Sequence, residues 1–140
     1  MFILRTRMLG LFYRQLSDLV SSGVSIVEAL NVVSINARSM DLRVVAARIK
    51  QDLASGQALS DSFAKFPQIF PVWHAKVIKY SEESGRLSDG FGVLADYQEK
   101  VYASHQAIIV GLAYPVFLLH LAIFLLPIVN AFGCGGSYIF

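Results

Sequence analysis

No Lys, Arg, Asp or Glu follows Lys100. All twelve basic and all ten acidic residues precede it, so the chain divides into a charged front and an uncharged, apolar tail. Cysteine is almost absent: the single Cys134 excludes an internal disulfide framework and any Cys-based zinc cage. The net charge of +2 is too small to point to nucleic acid as a partner. No Gly-x-x-x-x-Gly-Lys-Ser/Thr loop is present, so nucleotide hydrolysis is not expected of this chain. A sustained period-two strand pattern is also missing. Met1–Leu4 is apolar, but Arg5, Arg7 and Arg14 break any signal-peptide core, so the front is expected never to be exported.

What is present begins with the tail. Ala107–Val129 is 23 residues interrupted only by Gly111, Tyr114, His120 and two prolines. A helix needs about 20 apolar residues to cross a hydrocarbon core roughly 30 Å thick. One transmembrane helix over 106–130 is expected, after a front domain over 1–105 that is large enough for one core. Lys100 and the basic residues upstream place that domain on the cytoplasmic side and a short 131–140 tail outside. Gly133–Gly136 reads as a loop, Cys134 in it as incidental, and the chain stops as though in mid-element.

Everything before the span reads as helix. Leu9, Phe12, Leu16, Leu19 and Val20 form one apolar stripe, closed by Ser21-Ser22-Gly23. Ser25-Ile-Val-Glu28 is a capping box opening a second helix, with Ile26, Leu30, Val33 and Ala37 inward. A third starts near Ser39 and turns Leu42, Val45, Ala46, Ile49 and Leu53 inward, until Ser55-Gly56 stops it. A short fourth follows Leu59-Ser60, and Phe66-Pro67 to Phe70-Pro71 is a turn. A fifth runs from Pro71 to Glu83, where Ser84-Gly85 ends it; its stripe reads as Phe70, Trp73, Val77 and Tyr80, with core packing favoured over an exposed docking patch. The sixth begins after Leu87-Ser88 with no strong breaker before the span, and Pro115 or Pro127 is expected to kink the span. Ser55–Phe63 echoes Ser84–Phe91 with one deletion, read first as shared hairpin chemistry in which Gly stops a helix and Ser restarts one, and second as descent from a duplicated helical hairpin. The fold class is all-α: a cytoplasmic bundle of six antiparallel helices followed by one transmembrane helix.

Five motifs in order then carry a resemblance. They are Gln15–Leu30 with Gly23 and Leu30, Gly56–Phe63 with Leu59, Pro67-Gln-Ile-Phe70-Pro71, Glu82–Leu87 with Gly85 followed by Leu94–Tyr97, and Tyr114-Pro115 in the span. Together they resemble the type II secretion F domain of inner-membrane platform proteins that serve type II secretion and type IV pilus assembly. Two departures stand out. Ser81 occupies a position where the family usually has Gly, and the family usually carries two such domains and three spans. The resemblance implies a scaffold without catalytic residues or cofactors. Its implied partners are the membrane, a secretion or pilus ATPase, other platform subunits, pilin-like subunits and further copies of itself.

The remaining candidates are weighed residue by residue. His74, His105 and His120 share no metal-ligand spacing, and no metal site is expected. His74 is read as a surface or helix-interface residue and His105 as a membrane-surface anchor. His120 stands mid-span, where packing is the leading reading and contact with another subunit the second. Glu82 and Glu83 end a helix whose dipole disfavours carboxylates, so they must gain something elsewhere. A salt bridge to Arg86 or a lysine is the plain reading, and a partner-binding or cation-binding edge formed with Arg86 the sharper one. Arg38, Arg43, Arg48 and Lys50 crowd the third helix; a solvated face is the default, but the resemblance makes Arg43 and Arg48 candidates for ATPase contact. The competing functional class is a membrane-anchored enzyme or signalling domain with a site of unfamiliar type.

Overall fold

The computed structural model describes residues 2–133. Among these it is all-helical: α1 (Phe2–Ser21), α2 (Ile26–Asn36), α3 (Met40–Ala54), α4 (Leu59–Ala64), α5 (Val72–Glu83) and α6 (Leu87–Gly133). The chain forms two compact units that divide between Tyr102 and Ala103. The first is the helical bundle. The second is the apolar part of α6, and helix continues through Pro115 and Pro127. This helix is long and apolar enough to cross a membrane, with a mean hydropathy of 2.4 over its most apolar stretch. Cys134 and the rest of the expected loop and tail, apart from the end of α6, lie outside the described residues.

Three glycines set the hairpins of the bundle. Gly23, Gly56 and Gly85 have φ of 91°, 88° and 69°. Each closes the same pair of terminal hydrogen bonds. Around Gly85, for example, Gly85 N donates to Glu82 O at 3.2 Å and Arg86 N to Ser81 O at 2.8 Å. This left-handed stop satisfies two carbonyls the helix leaves open, and a side chain disfavours it. The restarts are less uniform than the sequence suggests. Ser25 Oγ accepts from Glu28 N at 3.3 Å, one half of the expected capping box. Ser39 holds the N-cap position of α3 without a side-chain bond, and α4 begins after Ala58, which has no side-chain oxygen at all.

The stripes read for the first three helices are the ones that face the core. Leu9, Phe12, Leu16, Leu30, Val33, Leu42, Val45, Ala46 and Ile49 are buried, with Leu19, Val20, Ile26, Ala37 and Leu53 packed against them. An aromatic cluster closes the other side of the bundle. Tyr13 is fully buried, with ring centroids 6.1 Å from Phe70, 6.2 Å from Phe91 and 5.4 Å from His74. Phe63 and Phe70 lie 4.7 Å apart. The two echoing segments therefore converge, since their closing residues Phe63 and Phe91 meet in this cluster at 6.3 Å.

The fifth helix is rotated from its expected setting. Phe70 is buried and Val77 partly so, but Trp73 and Tyr80 are exposed; Tyr80 is 76% accessible. His74, Ile78 and Ser81 face inward instead. The reason is polar and steric. His74 finds two partners in the interior, and α6 carries Gly90 where Ser81 crosses it. A Cβ placed on Gly90 would come 2.0 Å from Ser81 Oγ and 2.6 Å from Ser81 Cβ. Ser81 itself donates to Val77 O at 2.8 Å, so the crossing buries no open hydroxyl.

Candidate functional site

The buried polar group of the bundle is a three-helix relay. His74 Nδ1 lies 2.9 Å from Tyr13 Oη, and His74 Nε2 lies 3.2 Å from Gln98 Nε2. It joins α5 to α1 and α6. Burial pushes the His74 pKa down to about 4 and the Tyr13 hydroxyl well above its ordinary value. Both groups are therefore neutral at pH 7. The relay is closed to solvent: Tyr13 and His74 are fully buried and Gln98 nearly so. Its arrangement suits structural locking of three helices.

The Glu82–Arg86 segment is split by the structure. Glu82 is half-buried and reaches across to α4, where its carboxylate accepts from Leu59 N at 2.9 Å and Ser60 N at 3.2 Å. It supplies the cap that Ala58 lacks. The favourable dipole of the α4 N-terminus offsets the unfavourable one at the end of α5. Glu83 is exposed. Arg86 is exposed and pairs with Asp89 at 3.8 Å, so the bridge expected from these glutamates to Arg86 or a lysine is replaced at Glu82 by the α4 cap and at Arg86 by Asp89.

On α3, Arg43 and Arg48 are both exposed. Arg43 Nη2 donates to Ala37 O at 3.2 Å, anchoring one arginine to the turn before its own helix. Arg48 lines a groove of about 1140 Å³ formed by the early part of α1, the start of α3 and the turn after α4. Arg5 stands on the same groove, whose apolar lining includes Met8, Met40, Val44 and Ile69. Met40 and Val44 are 69% and 51% exposed, high for apolar residues. Sequence reading located the arginines but missed the groove, because its walls come from three segments far apart in the chain. The signal that could have found it was Met40 and Val44, apolar residues off the inward stripe of α3. Among the described residues, no hydrogen bond or ion pair links these arginines to the Glu82–Arg86 segment.

The motif residues have structural positions. Gly23, Gly56 and Gly85 are the helix stops, Leu30, Leu59 and Phe70 are buried, and Leu87 packs at the edge of the core. Pro71 is the N-cap of α5, and Pro67 lies in the exposed turn before it. Tyr97 is half-exposed, its ring 4.7 Å from that of Trp73 in an edge-to-face contact. Tyr114 and Pro115 lie within the apolar part of α6, Tyr114 exposed.

A hairpin-linked bundle whose order of glycine stops, paired prolines and apolar final helix matches the motifs sets a specific expectation, and comparison with known proteins meets it. The family described as "Type II secretion system (T2SS), protein F" matches residues 12–134. The chain belongs to this family. It is 31% identical over 118 residues to the type II secretion system protein F of Aeromonas hydrophila, covering 84% of this chain and 30% of that protein. It is 32% identical over 108 residues to the type 4 fimbrial assembly protein PilC of Pseudomonas putida, covering 77% of this chain and 27% of that protein. Against the type IV pilus assembly protein PilC of Pseudomonas aeruginosa, identity is 26% over 115 residues, with coverages of 82% and 31%. The chain thus spans about three-tenths of the length of these relatives.

Proposed function

We propose that this T2SS protein F family member acts as a non-enzymatic platform subunit of the bacterial inner membrane. Its bundle faces the cytoplasm and its apolar helix spans the bilayer. In this reading it couples a cytoplasmic secretion or pilus ATPase to the assembly of pilin-like subunits, alongside other platform subunits and further copies of itself. The observation that carries the proposal is the match over residues 12–134 to a family whose relatives include both a secretion protein and pilus assembly proteins. The bundle fits a mechanical role: its helices are locked by polar bonds, and most of its charged groups stand on the outside.

The surface proposed for the ATPase is the α3 face with Arg43 and Arg48, beside the groove and Arg5. Glu83 and Arg86 form a second, smaller charged edge, with Glu82 held back to cap α4. The test is binding of the cognate ATPase to the full chain and to an Arg43→Glu, Arg48→Glu variant. Reversal should weaken binding, and the wild-type affinity should fall with added salt, since exposed charges are screened within about 10 Å at 0.1 M. Tight, salt-insensitive binding by the variant would reject this surface. Orientation is tested in intact cells: a membrane-impermeant thiol reagent should label Cys134 and spare a cysteine placed at Gln51.

A further inference from the structure

We infer that the apolar part of α6 pairs within the membrane with a span of different sequence, one that offers an N–H or O–H donor to His120. The inference rests on the membrane-spanning reading above. Between Ala107 and Val129, Tyr114 and His120 are the only side chains with a nitrogen or oxygen. His120 stands near the middle of this stretch and its side chain is exposed. Its Nδ1 lies 2.9 Å from the carbonyl oxygen of Val116, one turn back. A carbonyl oxygen only accepts, so Nδ1 carries the proton. A neutral imidazole has one N–H, which leaves Nε2 as a bare acceptor. Among the described residues, nothing else in the chain meets it.

Hydrocarbon contains no water to supply the missing donor, so the partner must come from another membrane segment. Pro127 leaves a second acceptor nearby. It has no N–H for the carbonyl of Ile123, three residues beyond His120. This stretch therefore asks for donors.

A second copy of this chain cannot answer. It inserts in the same direction and brings the same residues to the same depth. Its own His120 proton is already given to its own Val116. Its Tyr114 hydroxyl belongs to a residue six positions away, about 9 Å along the axis at 1.5 Å per residue. Helical side chains also lean toward the N-terminus, which carries Tyr114 away from His120. The complementary span is thus a different helix, with a residue such as Ser, Thr, Asn, Gln, Tyr or Trp at mid-depth.

The test uses the full chain reconstituted in phosphatidylcholine–phosphatidylglycerol vesicles. Energy transfer reports its association with a leucine-rich transmembrane helix bearing one central Asn, or leucine alone. The chain should prefer the Asn helix by about threefold or more, in line with measured interhelical hydrogen bonds. His120→Leu should abolish the preference and leave self-association unchanged. Nitrogen NMR of the His120 ring should show the proton on Nδ1. Equal binding of both helices, loss of self-association in His120→Leu, or a proton on Nε2 would overturn the pairing. Vesicle flotation with protease protection separates the two readings. A chain that fails to insert overturns the span and the pairing together, whereas a chain that inserts without the preference overturns the pairing alone.

Discussion

Gly90 offers a test of the bundle that two substitutions decide. Replacing it with Ala places a Cβ 2.0 Å from Ser81 Oγ and 2.6 Å from Ser81 Cβ, far inside ordinary contact. Rotating Ser81 moves its hydroxyl but not its Cβ, so α5 and α6 must separate. Overpacking of this kind costs about 1–3 kcal/mol, and two backbone-fixed atoms place it at the upper end. Alanine returns up to about 1 kcal/mol through helix propensity. The expected net loss is roughly 2 kcal/mol. The next atom the new Cβ would meet is Val77 O at 3.8 Å, which is comfortable. Ser81→Gly therefore removes the whole conflict. Alone it should cost well under about 1 kcal/mol, and the double variant should return close to wild type. A coupling of about 2 kcal/mol follows, large for a single pair. Trp73 is the only tryptophan and lies on α5, so its fluorescence during urea unfolding follows the bundle in the full chain and is blind to the span. Additive effects, with coupling under about 0.5 kcal/mol, would refute this account of the crossing.

The same assay carries three further predictions. Gly85→Val forces a β-branched residue to a φ of 69° and should destabilise by more than about 1 kcal/mol; an unchanged unfolding midpoint would count against the helix stop. Glu82→Gln should cost about 1–2 kcal/mol by weakening the cap on Leu59 N and Ser60 N, while Glu83→Gln stays within about 0.5 kcal/mol. For pH, burial lowers His74 from 6.5 to about 4, so between these values the unfolded chain binds the proton that the folded chain refuses. That contribution is fully present above pH 6.5 and is lost as pH falls toward 4, by roughly 3 kcal/mol. Unfolding curves of wild type and His74→Gln should therefore differ in slope across this window, and parallel curves would refute the buried, neutral histidine.

Much of the bundle was legible because its signals are local. Gly23, Gly56 and Gly85 announce the stops through a conformation that other residues avoid, and the inward stripes of α1 to α3 recur at helical spacing. The fifth helix was misread for the opposite reason. Counting apolar residues favours Trp73 and Tyr80 over His74 and Ser81. What reverses the choice is Tyr13, Gln98 and Gly90, all distant in sequence, which make the polar face acceptable inside. Glu82 was half legible. Its unfavourable place at a helix end signalled a hidden partner, but the fourth helix was read as restarted by serine, so the missing cap at Ala58 went unseen. Joining the two needed the fold. The groove beside Arg48 left only the faint signal of Met40 and Val44, since α1, α3 and the turn after α4 each supply one wall.

These features bear on how force could pass through such a domain. Three kinds of contact hold α5 in place: the Glu82 cap to α4, the His74 relay to α1 and α6, and the close Ser81–Gly90 crossing with α6. Arg14 adds an outer tie from α1 to α6, reaching Asp96 at 2.5 Å and Glu99 at 3.0 Å. Exposed pairs of this kind are worth little alone. Its position is what counts, because α6 is also the helix that carries the apolar stretch, and a displaced α1 draws on both the buried relay and the outer pair. On the proposed function a load would enter at the α3 face, where α1 and α3 share the groove, and would reach α6 through the ties on α1. Weakening the interior while leaving that face intact, as Gly90→Ala does, should separate partner binding from coupled output. On the function proposed above, ATPase binding should persist in that variant while assembly activity falls, and loss of both together would argue that the face itself depends on the crossing.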